Sequence, residues 1–418
     1  MLYDTQETPE RVVLIGIDED DGSDTDACLD ELEELIQTAG GIVIGRMIQK
    51  REGMHRAHYF GKGKLEELKA YADELGAESI VCDDELTASQ IRNMSNILDF
   101  KIMDRTLVIL DIFAARASSA EGKVQVELAQ LKYKMSHLTG HGKELSRLGG
   151  GIGTRGPGEK KLETDRRRIA DKISELNSQL KEIEKRREVL REKRIKNGIP
   201  IIALIGYTNA GKSTMMNTLT NAGVLAEDKL FATLDTTTRQ IETESGSKYL
   251  FTDTVGFIQK LPHNLIKAFK ATLEESKYAD ILLHIVDASN DMREVQMQTV
   301  YETLKELDCL DKPIITVFNK TDKDYERPLP TDKYAIKCIN ASAKKNIGID
   351  KLLLEVEEVV KSFRKPLKIL IPYANAGELS SIYGKCEIIT RQDREDGTYL
   401  EIYADEETEN RFKKYNIE

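Results

Sequence analysis

The chain has few of the features that would tie it to metal or disulfide chemistry. Its five cysteines (Cys28, Cys82, Cys309, Cys338 and Cys386) are odd in number and scattered, with no C-x-x-C pair. That argues against a disulfide framework and a cysteine zinc site, and it fits a reducing compartment. The six histidines show no metal-ligand spacing, and His55 and His58 read as polar loop residues. No stretch approaches the ~18 apolar residues of a membrane span. The opening MLYDTQETPE carries no basic segment followed by an apolar core. A cytoplasmic chain without membrane insertion is expected. Positive charge is also short: the sum is −11, which argues against a surface that coats nucleic acid all round but leaves room for a local basic face. At 418 residues the chain is long enough for two to four domains.

The stretch Gly206-Tyr207-Thr208-Asn209-Ala210-Gly211-Lys212-Ser213 fits G-x-x-x-x-G-K-[ST]. It lies between an apolar strand-like run, 199–205, and a helix-like run, 213–219. In that context the loop reads as a phosphate cradle: glycines let backbone N–H groups converge on phosphate oxygens, and the helix adds the positive end of its dipole. Lys212 reaches the terminal phosphates and Ser213 ligates Mg²⁺ in this reading. The competing reading is an ordinary glycine-bearing strand-to-helix turn.

Two further motifs argue against that turn. Asp253-Thr254-Val255-Gly256 supplies D-x-x-G after a strand-like run; Asp253 is placed to hold Mg²⁺ through water and the Gly256 N–H to sense a γ-phosphate. Asn319-Lys320-Thr321-Asp322 supplies N-K-x-D after the strand 314–318. Guanine presents N1–H and N2–H₂ on one edge, and a carboxylate at Asp322 accepts both, whereas adenine has no such pair. Asn319 is expected to face N7 and O6, the Lys320 stem to lie on the base, and Ser342, Ala343 and Lys344 to present backbone N–H to O6. The threonine-rich loop Leu230 to Arg239 includes Phe231, Ala232, Thr233, Leu234 and Asp235 near the phosphates. Thr233 is its first choice as second Mg²⁺ ligand and Thr237 the alternative. Catalysis is assigned to Lys212, Thr233 and Gly256. Metal binding falls to Ser213, Thr233 and Asp253, with GTP and Mg²⁺ as ligands.

The expected fold class is α/β: a P-loop GTPase domain with a doubly wound, mostly parallel sheet over 199–364. A small α/β domain over 1–116 and a long helical coiled-coil arm over 117–198 precede it, and a small α+β domain over 365–418 follows. Within the first domain, Phe60-Gly-Lys-Gly-Lys64 reads as a glycine turn capping a helix rather than a second nucleotide site, because neither full phosphate-loop spacing is present. The glycine-rich loop at 149–158 has two readings, an interdomain hinge or a side-chain-poor segment that follows an RNA backbone between flanking cations. The arm repeats apolar residues at a/d spacing, compatible with an intramolecular hairpin or a dimer. Over 159–196 it holds fourteen Lys and Arg against nine Asp and Glu, so charge reverses locally. A basic arm on an acidic body points to a polyanionic partner.

GYTNAGKS, FATLDTTTR, DTVGF, NKTD and SAK, preceded by GGGIGTRGPGE and a basic helical arm, resemble the HflX family of GTPases from about residue 11 through the GTPase domain. The resemblance implies GTP hydrolysis with Mg²⁺, a monomeric factor on the ribosome, mainly its large subunit and rRNA, and splitting or rescue of stalled ribosomes under stress. It also implies that the N-terminal domain and arm face rRNA; ATP use by that domain, as in some members, would involve Lys62 and Lys64. Phe257 follows D-x-x-G where many GTPases place the water-orienting glutamine, so turnover alone is expected to be slow and stimulated by ribosomes. Asn209 marks a K⁺ site as in related GTPases. A nucleotide-gated RNA-binding module acting in large-subunit assembly is the alternative, and a metabolic ATPase is disfavoured by the N-K-x-D sequence.

Overall fold

The computed structural model describes residues 9–19, 24–138, 157–196, 199–220, 230–231, 233–234, 236–243, 246–260, 275–325, 327–363, 365–379, 382, 386–404 and 406–417. Most of the glycine-rich loop (149–156), together with Ala232 and Asp235, therefore lies outside the described residues. By contact the chain divides into two compact units, one of 1–182 with 228–234 and 260–270, the other of 183–227 with 235–259 and 271–418.

In the first unit, β1 (Arg11–Asp18), β2 (Ile42–Lys50), β3 (Ser79–Cys82) and β4 (Lys101–Asp104) form a parallel sheet in the order β2-β1-β3-β4. Val12 to Ile17 of β1 are all buried, as a strand covered on both faces requires. The helices are bounded by local chemistry. α1 (Thr25–Ala39) starts where the Asp24 side chain accepts from Ala27 N at 3.0 Å and stops at Gly40 in the left-handed region. α2 (Lys62–Leu75) is capped by Gly61, and Lys64 pairs with Glu67 three residues on at 2.7 Å. The glycine thus caps a helix whose Lys64 is already engaged. α3 (Ala88–Leu98) carries a Thr87/Gln90 capping box, and α4 (Arg105–Arg116) and α5 (Ala120–His137) follow.

The strand order puts the crevice between the carboxyl ends of β1 and β3. Acids gather beside it. Asp83, 1% exposed, binds the buried Arg105 guanidinium at 2.8 Å, and Glu31 is that arginine's second partner. Asp83 and Asp84 together hold Lys260 Nζ at 2.5 and 2.7 Å. Lys260 follows the D-x-x-G segment by four positions, yet it packs with the first unit.

The helix α6 (Pro157–Lys196) is a continuous 40-residue element, so the helical arm is present over that span. Leu176 is its buried apolar residue among the described side chains, while Arg166, Arg167, Arg168, Lys181, Lys185 and Arg186 are exposed. No described helix is long and apolar enough to cross a membrane.

In the second unit six strands lie in the order β10-β9-β8-β5-β7-β6, with ranges β5 (Ile201–Gly206), β6 (Thr237–Glu242), β7 (Lys248–Asp253), β8 (Ile281–Asp287), β9 (Ile314–Asn319) and β10 (Lys337–Asn340). All pairs are parallel except β6 with β7. β6 is an addition to the sequence reading, which took 230–239 as loop: Thr237-Thr-Arg-Gln-Ile-Glu242 has no apolar alternation because it is an exposed edge strand. Thr237 therefore sits in a ladder opposite Asp253.

The last sheet is antiparallel, β11 (Lys365–Ile371), β13 (Gly397–Ala404) and β12 (Glu387–Arg394) in that spatial order. Tyr373–Glu378 forms a 3₁₀ turn with non-helical geometry at Asn375, and Leu379 and Ile382 beyond it are helical. Glu395 and Asp396 form the turn between β12 and β13, where Gly397 lets a tight hairpin close.

Candidate active site

The phosphate-loop motif leaves the carboxyl end of β5, where successive strands depart to opposite sides. Two glycines are forced there. Gly206 has φ +147, and a Cβ on it would lie 2.2 Å from Ile285 O of β8. Gly211 has φ +94, and its Cβ would lie 2.3 Å from Asn319 Nδ2. Asn209 takes a left-handed φ of 58, a conformation Asn tolerates better than most residues.

Lys212 opens α7 (Lys212–Thr220) and is 6% exposed. Its Nζ donates to Gly206 O at 3.1 Å and Tyr207 O at 2.7 Å, which curls the side chain back over the loop. Burial pulls its pKa down to about 8, with nearby Asp253 raising it and Lys320 lowering it. A triphosphate placed against this amine favours the charged form. Above about pH 8 the free protein has therefore lost a proton that the complex retains, so nucleotide binding takes one up and weakens as pH rises. Calorimetry at pH 9 in buffers of different ionisation enthalpy should record uptake approaching one proton, absent in Lys212→Met.

Ser213 Oγ donates to Asp253 Oδ2 at 2.8 Å, bringing together two of the three expected metal ligands. A hydroxyl and a carboxylate are hard oxygen donors suited to Mg²⁺, which keeps several of its own waters. Thr233, the third, falls in the first unit with Phe231 and Leu234; Phe231 packs edge-on against Phe113 with centroids 4.7 Å apart. Thr254 does not turn its hydroxyl toward a ligand: it donates to Leu204 O at 2.6 Å and ties β7 to β5. Val255 is buried as well.

The D-x-x-G turn is stitched to the phosphate loop. Phe257 N donates to Gly206 O at 3.1 Å, Thr208 N donates to Phe257 O at 2.7 Å, and Gln259 N donates to the Tyr207 hydroxyl at 2.7 Å. The Phe257 ring is 1% exposed, so it offers no polar group to water.

At the N-K-x-D corner the carboxamide of Asn319 does more than face a base. Its Nδ2 donates to Ala210 O at 2.9 Å and its Oδ1 accepts from Ala343 N at 3.0 Å, joining the phosphate loop to the S-A-K turn. One Nδ2 hydrogen remains for a purine. Lys320 pairs with Asp287 at 2.8 Å, a partner the motif does not contain. Thr321 Oγ1 donates to Ala341 O at 2.9 Å. Asp322 accepts from Ser342 Oγ at 2.5 Å, and that bond, helped by the nearby Lys345 and Lys344 charges, lowers its pKa and keeps it ionised. In the S-A-K turn, Ser342 N donates to Ile347 O and Ala343 N to Asn319 Oδ1.

Family models match three consecutive parts of the chain: "GTP-binding GTPase N-terminal" over residues 26–114, "GTP-binding GTPase Middle Region" over 116–194 and "50S ribosome-binding GTPase" over 201–320. The protein called GTPase HflX from Lacrimispora saccharolytica is 50% identical over 406 residues, 97% of this chain and 96% of the relative. Its namesake from Caldanaerobacter subterraneus subsp. tengcongensis is 45% identical over 408 residues, 98% of this chain and 94% of the relative. A GTP-binding protein from Sulfolobus solfataricus, solved with GDP, is 24% identical, with a TM-score of 0.42 over 84% of this chain and 99% of its own.

Proposed function

The chain belongs to the HflX family of GTPases, and we propose that it is a cytoplasmic monomer that uses GTP to grip the large ribosomal subunit and split or rescue stalled ribosomes under stress. It hydrolyses GTP. The observation that carries the rest is the joining of Lys212, Ser213 and Asp253 to the Asp322–Ser342 corner through Asn319, where residues 201–320, which hold all of these but Asp322 and Ser342, are matched by a ribosome-binding GTPase family.

On GTP binding, Lys212 exchanges two backbone carbonyls for phosphate oxygens, and Asp322 accepts the guanine N–H pair. Ser213 and Asp253 would hold Mg²⁺, which would supply positive charge to offset the negative charge developing on the phosphates. Thr233 is the third ligand in this reading, and Asn209 takes part in holding K⁺. The N–H of Gly256 reads the γ-phosphate, so hydrolysis releases the turn that Phe257 anchors. The exposed Arg166, Arg167 and Arg168 offer charges to rRNA.

Sucrose-gradient sedimentation of intact ribosomes with the protein in GTP, GDP and a non-hydrolysable GTP analogue tests this. Separated subunits, with the protein on the large one in the analogue, are expected. Binding to free large subunits without splitting would favour a role in subunit assembly, and no co-sedimentation in any nucleotide would overturn both readings.

A further inference from the structure

The phosphate-loop pattern prescribes nothing at its third position, yet this chain buries a hydroxyl there. Thr208 is 5% exposed, and its Oγ1 has no hydrogen-bond partner among the described residues. Its backbone is firmly held, with the N–H donating to Phe257 O at 2.7 Å. Burying a polar atom without a partner costs stability, so such an atom calls for a reason.

Its surroundings supply one. A Cβ built on Gly256 would lie 2.8 Å from Thr208 Cα, 2.9 Å from Thr208 Cγ2 and 2.9 Å from Lys212 Nζ. Three groups thus converge: the residue whose N–H reads the γ-phosphate, the lysine that grips it, and Thr208. The neighbouring Phe257 is 1% exposed and has no hydrogen-bonding side chain. The group that positions the attacking water has to come from elsewhere.

We propose that Thr208 is a catalytic residue: its hydroxyl accepts a hydrogen bond from the attacking water and donates its own to a γ-phosphate oxygen. A hydroxyl is both donor and acceptor, so one side chain bridges nucleophile and electrophile. The water oxygen forms its bond to the γ-phosphorus as the bond from phosphorus to the β–γ bridging oxygen breaks. GDP leaves with that electron pair, and the proton of the water passes to a γ-phosphate oxygen. Thr208 gains and loses no proton. The inference rests on the GTPase reading of the site, and wild-type turnover checks that reading separately.

Thr208→Val keeps the shape and removes the hydroxyl; Thr208→Ser keeps the hydroxyl. In the full-length protein, Thr208→Val should lower kcat about 10²-fold, leave the Kd for GDP within about twofold, and abolish capture of GDP with aluminium fluoride, a mimic of the transferring phosphoryl group. Thr208→Ser should stay within about threefold of wild type in kcat. Because the hydroxyl is unpartnered, the valine variant should unfold at no lower temperature than wild type. Wild-type kcat in Thr208→Val overturns the proposal, as does a parallel fall in kcat and GDP affinity, which would mark Thr208 as packing alone. If wild type itself shows no turnover, the GTPase reading fails instead.

Discussion

Asp322→Asn should weaken GTP binding on the order of 10²–10³-fold and shift the preference to xanthosine triphosphate. The carboxylate is ionised and aimed, because the Ser342 hydroxyl donates to Oδ1 at 2.5 Å and holds its pKa down. A charged acceptor of this kind binds the guanine N1–H and N2–H₂ together. An amide replaces one acceptor with a donor, which faces the guanine amino group as a clash of like hydrogens. Against xanthine, whose C2 bears an oxygen, the same amide finds an acceptor. Ser342 can still donate to the amide oxygen, so the corner should keep its shape. Competition between GTP, XTP and ATP for a fluorescent nucleotide reads the effect directly, and unchanged selectivity would remove guanine recognition from Asp322.

Gly256→Ala should reduce GTP hydrolysis by about 10²-fold or more while leaving GDP affinity within a few-fold of wild type. The new methyl would lie 2.8 Å from Thr208 Cα and 2.9 Å from Lys212 Nζ. The backbone of Thr208 is fixed by its bond to Phe257 O, so the D-x-x-G turn has to back away. That withdraws the Gly256 N–H from the γ-phosphate and loosens the Phe257 N–H bond to Gly206 O. GDP lacks the γ-phosphate and does not feel the loss. Equal weakening of GDP and a non-hydrolysable GTP analogue would show a collapsed loop instead of a lost sensor.

The site was legible where chemistry is written in short contiguous strings. Gly206 to Ser213, Asp253 to Gly256 and Asn319 to Asp322 each end a largely buried strand of one mostly parallel sheet, and strands buried on both faces show up as apolar runs. What the sequence hid are bonds between distant positions. Asn319 reaches back 109 residues to Ala210. Lys260 meets Asp83 across 177 residues, and no local pattern pairs a lysine after D-x-x-G with acids at the end of β3. β6 escaped because an exposed edge strand of threonine, arginine and glutamine carries no period-two signal. In the sequence Thr208 reads as one more residue of the phosphate cradle, because the motif allows any residue there, and its further meaning lies in the burial of one oxygen atom.

Phe257 and the helical arm together make the strongest demand on the proposed function. The buried Phe257 ring after D-x-x-G offers no hydrogen bond to an attacking water, while exposed arginines on α6 suit an RNA-rich partner. The most direct measurement is steady-state GTP hydrolysis with and without purified large ribosomal subunits, in K⁺ buffer with Mg²⁺. Turnover should be slow alone and rise by at least about 10²-fold with subunits, in the manner of partner-completed GTPases. Equal rates in the two conditions would contradict the ribosome as the missing half of the switch.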